Sequence, residues 1–505
     1  MKWNRGTVLR PLFHFNFPVT NPGKNDTLVK LSDFMPSTCF TTIIPREVTQ
    51  LDNQNRGSFT GKLGYVLSAA GASVGLGNIW RFPYLAAKYG GGVFLLVYIL
   101  LAVTFGYTMI IAETVLGRAS HQSPVGAFRF FSKGKASAFG GWLNAVIPAL
   151  IVPYYSVIGG WVCKYLYAFC TQDLNEVATD TFFTDFITDG KSTELWFCVF
   201  AIMILVIICN GVENGIERVS RIVMPVLVVL AFIISVYAMT RPGAMEGVKY
   251  FLIPNFKNFS WMTVVSAMGQ MFYSLSIAMG ILITFGSYMK PDVEIETSTA
   301  QVEIFDTGIA ILAGMMIIPA VFAFSGGDPA ALNKGPSLMF ITMPKILAEM
   351  SGGRIIGILF FVLVLFAALT SAIALTESIV STFADELKWS RAKGTVFIAI
   401  IILGLGTLSC LGYGPLSFIT IIGKPFLDFF DFITNSVMMP VSAIMICWVV
   451  KRHMGLEAVE AEVTRDGHPF RRKKIFNFMI RYACPLFCII ILVSSIADAF
   501  GWIHM

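Results

Sequence analysis

The chain has 505 residues, of which 55% are hydrophobic and only 13% charged, with a formal net charge of +6. Soluble domains average about 25% charged residues, so a soluble globular class is excluded and an integral membrane protein remains. The positive balance calls for no nucleic-acid partner, because Lys and Arg collect in the cytoplasmic loops of membrane proteins.

Residues 1–55 are polar, interrupted by proline and without periodicity. The opening MKWNRGTVLRPLFHFNFPV is a poor signal peptide, since His14, Asn16, Pro11 and Pro18 break its apolar run. This region reads as a disordered cytoplasmic tail. A start codon assigned upstream of the true one is the alternative. Everything from 56 to 500 reads as one membrane domain, and 501–505 as a short extracellular end.

A membrane crossing needs about 20 apolar residues. Eleven stretches qualify with soft edges: 63–85, 93–116, 142–169, 195–210, 218–240, 261–289, 303–325, 354–383, 394–412, 425–450 and 476–500. The fourth is short, so its ends are open. Residues 329–350 are less apolar, carry three prolines and read as a structured extracellular loop.

The first stretch contains GASVGLGNIWRFP (71–83), where glycines, Asn78, Arg81 and Pro83 interrupt an apolar helix. A small-residue packing face accounts for Gly71 and Gly75. It does not account for Asn78 and Arg81, because arginine at mid-depth costs roughly 2.5–3.5 kcal/mol even on the generous scale. The sixth stretch is interrupted in the same manner by GQMFYSLSIAMG (269–280). Breaks in the first and sixth of eleven spans suggest two five-helix halves, each opening on a broken helix. Half-helix ends expose N–H groups that suit a carboxylate and carbonyls that suit a sodium ion.

The loops orient the chain. Arg118, Arg129, Lys133 and Lys135 lie in 117–141, and Lys451, Arg452, Arg465, Arg471, Arg472, Lys473 and Lys474 in 451–475. The loop 170–194 holds Lys191 against six acids. A cytoplasmic N-terminus satisfies all three. Most cysteines sit inside apolar runs (Cys163, Cys198, Cys209, Cys410, Cys447, Cys484, Cys488) and form no CxxC pair. With no His/Cys/Asp constellation, an enzyme is not supported.

GASVGLGNIWRFPY, GQMFYSLS, PYYSVIGGW (153–161) and FAALTSAIALTES (366–378) together resemble the neurotransmitter:sodium symporter family, in order and over about residues 56–500. The eleven spans are similar to those of its common bacterial amino-acid transporters. The resemblance implies an all-α membrane fold of two inverted five-helix repeats with broken first and sixth helices, in the cell membrane. It also implies two sodium sites. The first would use the Ser73 carbonyl, Asn78, Ser274, Asp306 and the substrate carboxylate. The second would use carbonyls of Gly71, Val74 and Ala367 with the hydroxyls of Thr370 and Ser371. Taken alone, Thr370-Ser371 is more often a pair bonded back to its own helix.

Asp306 is a carboxylate inside a span, which is rare and usually functional. Animal members of the family carry Asn here and a chloride-binding serine one turn on, where this chain has Ala310. The resemblance therefore implies chloride-independent transport; whether Asp306 cycles a proton is open. Monoamine members place an Asp where Gly75 stands. Glycine leaves N–H groups free for a carboxylate, so the resemblance implies an amino acid.

Tyr155 would bond that carboxylate beside Gly75, Leu76 and Gly77. Carbonyls around Ala72 and Tyr273, with Ser276, would take the ammonium. The side-chain pocket would be lined by Ile151, Tyr273, Ser276, Met279, Ser371 and Leu375, which implies a neutral, hydrophobic or aromatic L-amino acid. Tyr273 stands where the family usually has Phe.

Two gates follow from the resemblance. Outside, Arg81 would pair through water with Asp431 above Tyr155 and Tyr273. Inside, Arg56 would pair with Asp385, near Ser287 and Tyr288, with Phe59 replacing the family's Trp. Glu113 would support the broken sixth helix. A same-fold symporter for another solute and a non-transporting sensor remain open, as do a monomer and a homodimer.

Overall fold

The computed structural model describes residues 57–326, 337–499 and 501. The expected disordered tail and the gate residue Arg56 lie outside the described residues. All of the described residues belong to one unit, Gly57–Met505.

The described residues are helical throughout and carry no strand, only isolated bridges at Gly91–Pro254 and Ile421–Lys424. Short connecting helices aside, the helices in chain order are α1 (Lys62–Ser73), α2 (Phe82–Lys88), α3 (Gly92–Ser120), α4 (Lys135–Thr171), α5 (Gly190–Cys209), α6 (Val212–Met239) and α7 (Trp261–Ser274). They continue with α8 (Ile281–Ser287), α9 (Ile295–Ser325), α10 (Gly353–Leu387), α11 (Arg391–Leu411), α12 (Phe426–Met454), the short α13 (Leu456–Val463) and α14 (Lys473–Ala499). Nine of these are long and apolar enough to cross a membrane among the described residues: α3 to α6, α9 to α12, and α14. The remaining two apolar stretches are each cut in two, α1/α2 and α7/α8.

Several helices outrun the apolar stretches that announce them. The fourth expected span gains five residues at its start and becomes α5, 20 residues long. The fifth begins at Val212, in a π turn, and the seventh at Ile295. Polar flanking turns stay helical because helix formation follows backbone propensity and packing, which hydropathy does not measure. The loop expected at 329–350 is structured where described, with a π turn Leu338–Thr342 and a helix Met343–Glu349. It docks through Phe340, stacked on Phe183 with ring centroids 5.1 Å apart. The Phe340 carbonyl also accepts from the Tyr165 hydroxyl at 2.7 Å.

The breaks have local causes. After α1 the chain turns extended at Val74 (ψ 98°). After α7 it passes through left-handed backbone at Ser276, Ala278 and Gly280. At Gly280 a Cβ would lie 2.7 Å from Pro124 and 2.8 Å from the Asn144 carbonyl, so glycine is required there by space as well as by φ. The freed backbone is tied down from α3. Glu113, fully buried, accepts the Ala278 N–H at 2.7 Å, which is the support expected of it. The backbones of α3 and α8 touch at two glycines. A Cβ on Gly117 would fall 1.9 Å from the Ile283 carbonyl oxygen, and one on Gly286 2.5 Å from that of Thr114. Small residues at such contacts let helices approach closely.

Candidate functional site

The two breaks face each other in the middle of the bundle, with α4, α9 and α10 around them. Asp306 on α9 is completely buried. It accepts from Asn78 (Nδ2 to Oδ1, 2.8 Å), from the Tyr98 hydroxyl (3.2 Å), and from Ser274 at both oxygens (2.9 and 3.1 Å). No basic side chain pairs with Asp306 among the described residues. A buried carboxylate ringed by neutral donors is a costly arrangement unless a cation completes it. The oxygen-rich surroundings are what a hard cation takes, so the residues fit sodium. Asn78 also accepts the Gly75 N–H at 3.1 Å, which folds the break back on itself.

The expected first set is thus gathered at Asn78, Ser274 and Asp306. Ser73 stands beside it, its hydroxyl donating to the Ala69 carbonyl at 3.1 Å and reaching that of Leu275 at 3.5 Å. In the second set, Ser371 crosses from α10 to the carbonyls of Gly71, Ala72 and Val74 at 3.4, 3.1 and 3.3 Å. Thr370 behaves differently. Its hydroxyl bonds back to Phe366 and Ala367 of its own helix at 3.0 and 3.2 Å. It nonetheless packs on the break, since a Cβ on Gly71 would lie 3.2 Å from that of Thr370.

Between the two sets is a cavity of about 30 Å³ lined by Ala72, Ser73, Gly75, Leu76, Gly77, Asn78, Ile151, Tyr155, Tyr273, Ser274, Ser276, Met279, Ser371 and Leu375. This lining includes every residue expected to touch substrate. Gly75 is the tight point: a Cβ there would lie 2.8 Å from Ser371 Oγ and 3.2 Å from the Tyr155 hydroxyl. The Tyr155 oxygen accepts the Leu76 N–H at 3.4 Å. The Ala72 carbonyl takes the Ser276 hydroxyl at 2.9 Å as well as Ser371. Tyr273 packs the edge of its ring against Gly77, where a Cβ would meet that edge at 2.6 Å.

On the Arg81 side a vestibule of about 490 Å³ opens above this cavity, and Tyr155 and Tyr273 line both. Arg81 and Asp431 both line the vestibule but form no ion pair with each other among the described residues. Arg81 stands 5.1 Å above the Tyr273 ring. Asp431 is held by Tyr154 and Asn435 instead, at 3.2 and 2.6 Å.

The opposite side is plugged. Phe59 is 1% exposed and meets Tyr65, Phe285 and Tyr288 edge to face at 5.9, 5.4 and 6.1 Å. Asp385, whose expected partner is outside the described residues, accepts the Ser123 N–H at 2.6 Å. Tyr288 donates to Glu377 at 2.8 Å, and Arg391 clamps the same carboxylate at 3.0 and 2.5 Å. Ser287 bonds back to the Thr284 carbonyl at 2.6 Å. Nothing in the sequence pattern singles out Tyr98, Tyr154, Asn435 or Arg391 as parts of these networks. Glu377, also missed, had a usable signal: it is an acid inside an apolar span, the same rule that singles out Asp306. The tyrosines had none, since a tyrosine in an apolar helix is ordinary.

The family model for the sodium:neurotransmitter symporter family matches residues 56–189 and 184–501. The chain is 32% identical over 453 residues to YhdH of Bacillus subtilis strain 168, described as a sodium-dependent transporter, covering 88% of this chain and 99% of the other. A sodium-dependent transporter of Haemophilus influenzae is 30% identical over 459 residues, covering 88% and 99%. Among solved structures, MhsT in complex with L-phenylalanine superposes with a TM-score of 0.79 at 35% identity, covering 87% of this chain and all of that one.

Proposed function

The chain belongs to the sodium:neurotransmitter symporter family, and from that premise we propose that it imports a neutral, hydrophobic or aromatic L-amino acid by alternating access. Sodium-coupled symport across a membrane is the activity the family supports; the protein is a transporter and not an enzyme. The observation that carries the substrate class is Gly75. It leaves the break without a side chain where Tyr155 and Ser371 converge, offering the Tyr155 hydroxyl to a carboxylate and no acid to a lone amine; the Gly75 N–H itself, expected to be free, is taken by Asn78. The L-phenylalanine held by MhsT supports the same class.

In this reading the interrupted α1/α2 and α7/α8 are the first and sixth of eleven spans, and open two inverted five-helix repeats in the cell membrane. The N-terminus faces the cytoplasm and the Arg81 side faces out. Two sodium ions sit at the sets around Asp306 and Ser371. The substrate carboxylate completes the first, which couples ion to solute. Asp306 supplies fixed negative charge, so chloride is not required.

The open vestibule and the plug at Phe59 correspond to the outward-facing stage. Substrate enters between Tyr155 and Tyr273, Arg81 closes on Asp431, and the bundle then opens toward the cytoplasm. The cavity of about 30 Å³ holds roughly two waters as it stands, so a bulky side chain must displace its lining. Met279 has the torsional freedom to yield. Each net charge moving inward through 100 mV supplies about 2.3 kcal/mol.

A thermal-shift and binding screen of the twenty amino acids, with sodium and with potassium in its place, tests the proposal. Sodium-dependent stabilisation by Leu, Phe, Tyr or Trp is expected. Stabilisation by none of the twenty would overturn it in favour of another solute, and binding without flux in proteoliposomes would identify a sensor.

A further inference from the structure

A gate between Arg81 and Asp431 needs its carboxylate to stay in place while Arg81 is elsewhere. Among the described residues, Asp431 is anchored through its Oδ1. Its Oδ1 accepts from the Tyr154 hydroxyl at 3.2 Å and from Asn435 Nδ2 at 2.6 Å, and Asn435 Nδ2 reaches the Tyr154 oxygen at 3.4 Å, closing a triangle. Tyr154 on α4 is 1% exposed. Asn435 stands one turn beyond Asp431 on α12, within a run of π turns, Phe432–Met438. Thr434 stiffens that run by bonding back to the carbonyls of Phe430 and Asp431 at 2.7 and 3.3 Å.

Both holders therefore belong to α4 and α12, as does Asp431 itself. Arg81 belongs to the broken first segment across the vestibule. Lys424 lines the same vestibule and is a competing cation. A freely rotating carboxylate would divide its time between Lys424, water and Arg81. Two donors on Oδ1 fix the torsions of a carboxylate that lines the vestibule, and a partner fixed beforehand loses less freedom when the pair forms.

We propose that Tyr154 and Asn435 are positioning residues of the outer gate, holding Asp431 as its stationary half and so slowing escape of bound substrate. The inference rests on the function proposed above. Neither residue lines the substrate cavity, and both act through Asp431.

The test uses the full chain in sodium with tritiated L-leucine and L-phenylalanine. Tyr154→Phe, which keeps the ring packing, and Asn435→Ala, at a half-buried position, are compared with the wild type for dissociation rate, KM and kcat. Each is expected to speed dissociation roughly tenfold, the effect of losing one charge-assisted hydrogen bond, and to raise KM without lowering kcat. In an Asp431→Asn background neither substitution should add anything. Unchanged or slower dissociation overturns the inference, and so does an equal effect in the Asp431→Asn background, which marks a merely structural role. If the wild type binds none of the twenty amino acids in sodium, the proposed function fails and takes this inference with it; if it binds another of them, that one replaces the two probes, and variant behaviour then judges the inference alone.

Discussion

Asn78 and Asp306 are 228 residues apart in the chain, yet Nδ2 of one lies 2.8 Å from Oδ1 of the other in the buried centre of the bundle. One comes from a helix that breaks and the other from a helix that does not. The contact joins the broken first segment to the unbroken α9.

This contact bears on ion dependence. With Asp306 supplying charge, uptake should be the same in sodium chloride and sodium gluconate. Asp306→Asn should raise the sodium concentration for half-maximal uptake roughly tenfold or more, each tenfold being about 1.4 kcal/mol. Flux assays with the anion exchanged check the first statement, and sodium titrations the second. A wild-type requirement for chloride would sink it.

Gly75→Ala is expected to keep the fold and spoil the site. The new methyl carbon would lie 2.8 Å from Ser371 Oγ, so either the break or the Ser371 hydroxyl must shift. Overpacking of this kind costs about 1–3 kcal/mol, or roughly 5- to 150-fold in affinity. Equilibrium binding beside a size-exclusion profile reads both parts.

Glu113 should matter through its acceptor rather than its charge. Ala278, in left-handed backbone, has its N–H bonded to Glu113 at 2.7 Å. Glu113→Ala orphans that group and should cost about 1–3 kcal/mol. Glu113→Gln keeps an acceptor and should cost clearly less. Thermal melts in detergent compare the two; equal losses would mean that the bond to the break is not what Glu113 contributes.

Arg391 clamps a carboxylate whose side chain is fully buried. Arg391→Met leaves Glu377 with Tyr288 as its hydrogen-bond donor among the described residues and should destabilise by about 3–5 kcal/mol, the usual result of stranding a buried charge. Adding Glu377→Gln to it should recover part of the loss. A melting temperature that ignores Arg391→Met counts against the clamp.

Much of the site is legible in the sequence. Asn78, Arg81 and Asp306 announce themselves because hydrocarbon penalises polar groups, so their presence in apolar runs demands a reason. Gly280 and the polar run before it mark the second break for the same reason. The tyrosines that complete the geometry stay silent, because a tyrosine satisfies an apolar helix equally well with its hydroxyl bonded or idle. Thr370 and Ser371 are adjacent and alike in sequence, yet one bonds to its own helix and the other crosses to α1. Only the rotation of α10 against the break separates them.

Local chemistry along the chain is enough to make it a membrane bundle, to locate its breaks and to reveal the family pattern those breaks follow. Hydropathy and backbone penalties act residue by residue, so no distant contact is needed to read them. The partners of the buried polar groups are a property of the packed bundle: Tyr98 for Asp306, Arg391 for Glu377, and Tyr154 with Asn435 for Asp431. A hydrogen bond depends on angles and on distances of about 3 Å, and helices distant in sequence reach that range only once the whole bundle is assembled.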